Sequence, residues 1–172
     1  MIRALFFAAA VSIATAGAGF AQEAPTDPQI AHIAYTAGQL DVAAAQQALL
    51  KSSDAAVRDF ADLMIRDHQA VNDQALALVQ KLGVTPEDNP TSQALTTAAN
   101  AKLAELDALE GAAFDSAYVA NEVAFHQTVN DALATVLIPA AQNADLKALL
   151  ETGLTLFTAH QQHAEHLAAE VK

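Results

Sequence analysis

The chain contains no cysteine. Without cysteine it forms no disulfide and carries no lipid on a thiol, so its stability depends on packing, helix caps or a bound ligand. Runs of β-branched residues are also absent, and the few glycines and prolines fall almost entirely between periodic segments. Because alanine, leucine, glutamine and glutamate dominate instead, the sequence predicts an all-α fold without strands.

Basic residues are scarce. Eight Lys and Arg stand against twenty Asp and Glu, which gives a formal net charge of −12 at pH 7. Binding to nucleic acid or to anionic membranes depends on clustered Lys and Arg, so we expect neither as a partner. A metal cation or a basic protein suits this charge better.

The first 21 residues have the features of a cleavable signal peptide. Arg3 is their only charge, residues 4–20 are apolar or small, and Gly19 and Ala21 occupy the −3 and −1 positions that a signal peptidase accepts. A membrane anchor is the alternative, but polar residues and glycines interrupt an apolar run of marginal length. We therefore expect a mature chain of residues 22–172, a single domain in the periplasm or secreted, without stable membrane insertion after cleavage.

Apolar residues at spacings of three and four predict four long helices and one shorter helix. The first long helix should have Asp27 as its N-cap and reach about Ser52. The second should begin after Ser53, with Asp54 near its start, where a negative charge is favourable at the positive end of the helix dipole. It should stop at Gly83, because a glycine adopts the left-handed conformation common just after a helix.

About thirty residues connect the second and third long helices, and they contain the shorter helix, residues 91–109. The third long helix should begin with Asp115 as N-cap and end before Pro139, and the fourth should begin with Asn143 as N-cap. The long connection lets the third helix run parallel to the second, whereas short loops make the other neighbours antiparallel. The sequence thus predicts a four-helix bundle with an extra short helix in its long connection.

Three histidines interrupt apolar stripes near the midpoints of three different long helices, namely His68, His126 and His160. Asp41 lies near the midpoint of the remaining long helix, at the edge of its apolar face. In a bundle of nearly equal helices, midpoints share a layer whichever way each helix runs. Burying an imidazole without a partner costs about 1–3 kcal/mol, so these side chains should meet inside the bundle.

Three imidazoles and one carboxylate make a ligand set for one divalent transition metal, with zinc, copper, iron or manganese as the expected ion. Glu122 and Asn72 lie one turn from His126 and His68, and they could act as further ligands or orient the imidazoles. Asp67 is another candidate, whose direction the helical spacing leaves open. The alternative is a non-enzymatic structural or stress-response interaction domain, in which a buried His–Asp hydrogen-bond network fixes the helix packing.

An enzymatic role has less support in the sequence than metal binding or a structural role. A di-iron carboxylate site requires Glu-x-x-His on two helices, and the chain contains no Glu-x-x-His. No Ser or Cys shares the faces of the three histidines, which disfavours a hydrolase. His163 and His166 turn away from the stripe of His160, so we expect them at the surface, where they could form a secondary metal contact, and we expect His32 to be half exposed.

Several short motifs are spread along the mature chain, namely residues 38–41 (GQLD), residues 64–68 (MIRDH), Asn72, Phe114-Asp115, Tyr118-Val119, His126 and His160. In these motifs the chain resembles the bacterial exported family known as domain of unknown function 4142, over about residues 27–168. The resemblance implies export and a ferritin-like helical bundle, in agreement with the predicted topology, but no particular activity. Asp41 stands where the family usually has Glu, and Thr155 where many members have Pro.

Overall fold

The computed structural model of the protein describes residues 24–171, so the predicted signal peptide, residues 1–21, lies outside the described residues. Within residues 24–171 every regular element is helical, which confirms the predicted all-α class. None of the helices described there is long and apolar enough to span a bilayer. In chain order the elements are α1 (Asp27–Lys51), α2 (Ala55–Leu82), α3 (Pro90–Asp107), α4 (Gly111–Ala132), a π-helical turn (Leu133–Leu137), α5 (Ile138–Ala140) and α6 (Ala144–Glu170).

Capping side chains explain where three of the helices begin. Asp54, Asn89 and Asn143 precede α2, α3 and α6, and each side chain accepts hydrogen bonds from two backbone N–H groups of the first turn. These bonds satisfy donors that a helix start leaves without intrahelical partners. α2 ends at Gly83, whose φ of 65° is a left-handed conformation that glycine adopts without strain. The predicted cap at Asn143 and the stop at Gly83 are confirmed, and Asp54, expected only as a favourable charge near the start of α2, is its N-cap.

The predicted N-cap of the first helix is wrong by one residue. α1 begins at Asp27 itself, and Thr26 is its N-cap. The Asp27 carboxylate instead accepts hydrogen bonds from the backbone N–H groups of Gln142 and Asn143, at 2.8 and 2.9 Å. Asp27 therefore ties the start of α1 to the start of α6, a long-range role that local sequence does not reveal.

The third long helix differs from its prediction at both ends. It begins at Gly111, and the expected N-cap Asp115 is buried inside α4. It also continues past Pro139, because the π-helical turn precedes that residue and the N–H of Ile138 bonds to the carbonyl of Leu133, five residues back. A proline inside an α-helix removes one backbone hydrogen bond, and its ring clashes with the preceding turn. Here the preceding turn is the π-helical one, which is wider than an α-helical turn.

Contacts between helices run from α1 through α2 and α6 to α4 and back to α1. We call these four helices the helix ring. α3 contacts chiefly α1 and, to a lesser extent, α4. The short helix in the long connection thus packs against one side of the helix ring. The interior of the ring is lined mainly by its four long helices.

Buried apolar side chains form two clusters, one in each half of the helix ring. The first core consists of Ala44, Ala45, Ala48, Val57, Phe60, Ala61, Met64, Leu106, Phe114, Tyr118, Val119, Ala164 and Leu167. The second core consists of Ile30, Ile33, Leu133, Leu137, Ala141, Leu146, Leu150 and Phe157. Along the helices, the buried polar residues between the two cores include Asp41, His68, Glu122, His126 and His160.

Candidate metal centre

The three histidines predicted to face inward do so, and they meet. His68 on α2, His126 on α4 and His160 on α6 are each at most 3% exposed. Their ring centroids form a nearly equilateral triangle with sides of 5.4–5.5 Å. One ring nitrogen of each lies within 4.8 Å of those of the other two. The predicted buried polar layer is therefore present.

Helical periodicity explains why the imidazoles meet. His68 follows Phe60 and Met64 on the inner face of α2, and both of those side chains are fully buried in the first core. A residue one turn further along the same face must also point inward. On the other side of the layer Phe157 of the second core stacks flat on His68, with ring centroids 4.6 Å apart and an interplanar angle of 7°. The histidine layer is thus held between two apolar clusters.

Asp41 of α1 completes the layer from the fourth helix, as its position in the sequence predicted. Its side chain is fully buried. Oδ1 lies 3.4 Å from His68 Nε2, and Oδ2 lies 3.8 Å from His126 Nε2. Neither contact meets the geometry of a hydrogen bond. The carboxylate therefore faces two ring nitrogens without bonding directly to either.

Glu122, one turn before His126, fixes the tautomer of that histidine. His126 Nδ1 lies 3.0 Å from the backbone carbonyl oxygen of Glu122, and 3.6 Å from its Oε2. A carbonyl oxygen only accepts, so Nδ1 carries the proton and donates it. The lone pair of His126 is then on Nε2, the atom that faces Asp41.

Asp67 faces the cluster from its edge, which settles the direction that helical spacing left open. Its Oδ2 lies 3.1 Å from His160 Nε2, and its Oδ1 accepts a hydrogen bond from Arg66. The side chain is 18% exposed. Because a carboxylate accepts from the ring N–H, the lone pair of His160 is on Nδ1, a buried atom.

Burial keeps the histidines neutral. Desolvation lowers the pKa of His68 to about 2, with the neighbouring imidazoles acting in the same direction, and it lowers the pKa of His126 to about 4. The pKa of His160 is also lowered by burial, although the Asp67 carboxylate opposes this. Burial alone would raise the pKa of Asp67, but hydrogen bonds from Arg66 and His160 outweigh it and lower the pKa. Neutral imidazoles are the form that binds metals.

The two buried carboxyl groups behave as a pair. Asp41, Glu122 and His126 each offer a ligand atom within 4.8 Å of those of the other two. Burial raises the pKa of Asp41 to about 7, and burial together with the Asp41 charge holds the pKa of Glu122 well above its usual range. Two carboxylates this close share a proton unless a cation lies beside them.

Asn72, one turn after His68, makes no hydrogen bond to a histidine among the described residues. It is buried, and its amide packs against the backbone of Gly38 on α1. It lines a cavity next to the histidine layer rather than joining the layer. Among the predicted candidates, Asp41, Glu122 and the three histidines come together, Asp67 supports one histidine, and Asn72 stands apart.

Tyr118 and Phe157 border the polar layer, and neither was among the predicted site residues. The Tyr118 hydroxyl is buried, and burial with the nearby Glu122 and Asp41 charges raises its pKa well above 10. Tyr118 lies one turn before Glu122, so the periodicity of α4 was the signal that could have found it. Of the remaining histidines, His163 and His166 are exposed, as predicted, and His32 is partly exposed.

Two comparisons with known proteins found nothing, and one found a family. A family model described as "Domain of unknown function (DUF4142)" matches residues 12–167. No curated protein and no solved structure matches the sequence significantly. The match spans the histidine layer and both cores, so it agrees with the resemblance seen in the sequence motifs.

Proposed function

The chain belongs to the family of domain of unknown function 4142, and from the histidine layer that it contains we propose that it binds one divalent transition-metal ion. In this proposal His68, His126 and His160 supply one ring nitrogen each, and Asp41 supplies a carboxylate oxygen. Zinc, copper, iron and manganese are the candidate ions, because imidazole and carboxylate ligands suit them.

One observation supports this function above the others, namely free nitrogens on buried rings. Among residues 24–171, His126 Nε2, His160 Nδ1 and both nitrogens of His68 have no hydrogen-bond partner. Leaving a buried polar atom unpaired costs about 1–3 kcal/mol. A metal ion takes one lone pair from each ring and so removes several of these penalties at once.

Two distances between Asp41 and the histidines also suit one ion. Tetrahedral ligands about 2.0–2.1 Å from a zinc ion stand about 3.4 Å from one another. The Asp41 oxygens stand 3.4 Å and 3.8 Å from the facing nitrogens of His68 and His126. Direct N–H···O hydrogen bonds are shorter, near 2.9 Å. The observed spacing is therefore closer to that of ligands around an ion.

Charge supports the same function. Three neutral imidazoles leave the charge of a divalent cation uncompensated, and Asp41 with Glu122 can offer two negative charges beside it. Glu122 also contacts His126 directly, because its backbone carbonyl oxygen accepts the hydrogen bond from His126 Nδ1. Partners of this kind commonly change metal affinity by about 10–100-fold when they are removed.

A structural network is the second candidate. The hydrogen bonds from His160 to Asp67 and from His126 to Glu122 favour it, because both would persist without an ion. It does not account for His68, which has no hydrogen-bond partner among the described residues although it lies at the centre of the contacts. The two candidates differ in whether the protein contains metal.

Metal analysis of protein purified from the periplasm without an affinity tag tests the proposal. We expect about one equivalent of ion per chain, by analogy with single three-histidine sites. His68→Leu should abolish this content, whereas His166→Leu, which removes an exposed histidine of the same chain, should leave it unchanged. The proposal is wrong if the wild type contains no metal both as purified and after incubation with each of the four ions.

We also propose that the helix ring is a ferritin-like four-helix bundle. The first core joins the C-terminal halves of α1 and α6 to the N-terminal halves of α2 and α4. α2 and α4 therefore run in the same direction, and the long connection that contains α3 lies between them. One long crossover between parallel helices is typical of ferritin-like bundles. An experimental structure with α2 and α4 antiparallel would contradict this.

Export to the periplasm or secretion is the third part of the proposal. It is supported by the charged start, apolar segment and small residues of 1–21. Mass spectrometry of the exported protein should find Gln22 as the first residue. Retention of residues 1–21 in the mature protein would overturn it.

A further inference from the structure

A cavity of about 750 Å³ occupies the half of the helix ring that contains the second core. Its inner wall includes His68, His126 and Phe157, and its other end is bordered by Asn89 and the exposed Thr91. Along α2 the lining extends from His68 to Val79, about 16 Å at 1.5 Å per residue. The cavity is therefore elongated, with one end at the centre of the protein and one near the surface.

Its size distinguishes the cavity from a packing defect. Protein interiors are close-packed, with few voids larger than a water molecule, and ligand sites have volumes of about 300–1,000 Å³. The same four helices pack tightly in the first core, where most members are fully buried. The π-helical turn lies on the cavity wall, and such turns are frequent at functional sites.

The lining selects an uncharged occupant. Among the described residues that line the cavity there is no Asp, Glu, Lys or Arg, and most are Ala, Val, Leu, Ile or Phe. The lining therefore has no Lys or Arg side chain that could form an ion pair with a carboxylate or a phosphate. The chain also has a net charge of −12, which disfavours anionic molecules further.

One amide provides a polar contact near the inner end. Asn72 lines the cavity and is 3% exposed, and its Nδ2 has no hydrogen-bond partner among residues 24–171. Phe157 covers a face of the His68 ring on the cavity side. Asn72 is thus the uncharged hydrogen-bonding side chain best placed to meet a ligand that has entered past the apolar walls.

We propose that this cavity binds an uncharged lipophilic small molecule, a hydrocarbon chain that ends in one hydroxyl or carbonyl oxygen, with that oxygen at Asn72. The apolar chain lies along Val71, Ala75 and Val79 and the facing residues of α6. Exclusion of water from these walls drives binding, and the amide supplies direction. The inference does not rest on metal binding, because none of its contacts requires an ion.

Fluorescence of the uncharged probe phenylnaphthylamine tests the proposal in purified protein treated with chelator. The probe should bind saturably, and dodecanol should displace it at concentrations at least tenfold lower than dodecanoate does. Ala75→Leu adds a bulky side chain within the cavity and should weaken probe binding about 5–100-fold, corresponding to about 1–3 kcal/mol of overpacking. Ala77→Leu is the matched control on the exposed face of α2 and should bind like wild type.

A second variant tests the polar contact. Asn72→Leu keeps the shape of the side chain without its hydrogen-bonding atoms, so dodecanol should bind about three- to tenfold more weakly, as expected for one lost hydrogen bond. Probe binding should be unaffected. If Ala75→Leu does not fold, Ala34→Leu fills the cavity from α1 instead.

Three results would overturn the proposal: no saturable binding by the wild type, dodecanoate competing as well as dodecanol, or equal binding by folded Ala75→Leu and Ala77→Leu. Because every measurement is made with chelator, failure here leaves the metal proposal intact. Failure to find metal likewise leaves the cavity proposal intact.

Discussion

A β-carbon at position 38 would stand only 2.4 Å from Oδ1 of Asn72, so Gly38 and Asn72 form a contact that no other residue at position 38 permits without movement. The Asn72 atoms involved belong to a buried side chain between α1 and α2. The glycine therefore lets the two helices approach at the level of the cavity.

Gly38→Ala should destabilise the protein by about 1–3 kcal/mol, the usual range for overpacking a buried contact. Urea denaturation followed by circular dichroism measures the change. The matched control is Gly153→Ala on α6, whose β-carbon would meet Phe157 at an ordinary 3.4 Å. That variant should be neutral or more stable by about 0.5–1 kcal/mol, because alanine favours helix. Equal effects at the two positions would contradict a specific role for Gly38.

Added metal should stabilise the wild type in thermal melts. An ion that binds only the folded chain contributes about 2.7 kcal/mol at a hundredfold excess over the dissociation constant. His68→Leu should lose most of this gain, and His166→Leu should keep it. A wild type that melts at one temperature in chelator and in zinc, copper, manganese or ferrous iron at pH 7.5 would argue for the structural network.

Acid should destabilise the metal-free protein in a way that depends on His68. Its pKa is about 2 in the folded chain against an ordinary value of 6.5. Below pH 6.5 the unfolded chain thus binds a proton that the folded chain does not, and stability falls as pH falls, by up to about 1.4 kcal/mol per pH unit. Asp41, whose pKa is raised to about 7, acts in the opposite direction because the folded chain holds its proton.

The variant His68→Asn isolates the contribution of His68 to the pH dependence of stability, since Asp41 is present in both proteins. Between about pH 6.5 and pH 5 its unfolding free energy should depend less steeply on pH than that of the wild type, by up to about 1.4 kcal/mol per unit. Urea denaturation in chelator at several pH values measures both slopes. Parallel curves would mean that His68 is not kept neutral by burial.

Asp67→Asn should weaken metal binding about 10–100-fold, because the Asp67 carboxylate orients His160 and fixes its tautomer. The matched control is Asp62→Asn, which removes the same charge from an exposed position of α2. Competition with a metal-sensitive dye measures both affinities. If the two variants lose affinity equally, the effect comes from net charge and not from the contact with His160.

Local and periodic features of the sequence predicted the helical segments, some of their ends and the polar layer correctly. The cap at Asn143 depends only on the following turn, and the inward direction of His68 depends only on its spacing from Phe60 and Met64. Interactions of this range are visible in sequence, because a helix repeats its faces every three to four residues.

Features that depend on long-range contacts were not predictable in the same way. Asp27 looked like an N-cap, but its oxygens bond to backbone more than a hundred residues away. Asp115 has the residue type of a cap and is instead buried in α4. The direction of Asp67 and the cavity depend on how α2 and α6 pack, and apolar periodicity alone does not separate a filled helix interface from a hollow one.

Each of the four long helices has one end in the tightly packed first core and the other end beside the cavity. Local opening costs least where few buried contacts must be broken, so the cavity ends of the helices should separate transiently while the opposite ends stay closed. Backbone amides of the first core would then exchange with solvent only through global unfolding. The proposed ligand would therefore enter and leave at the cavity ends of the helices, while the ends in the first core stay packed.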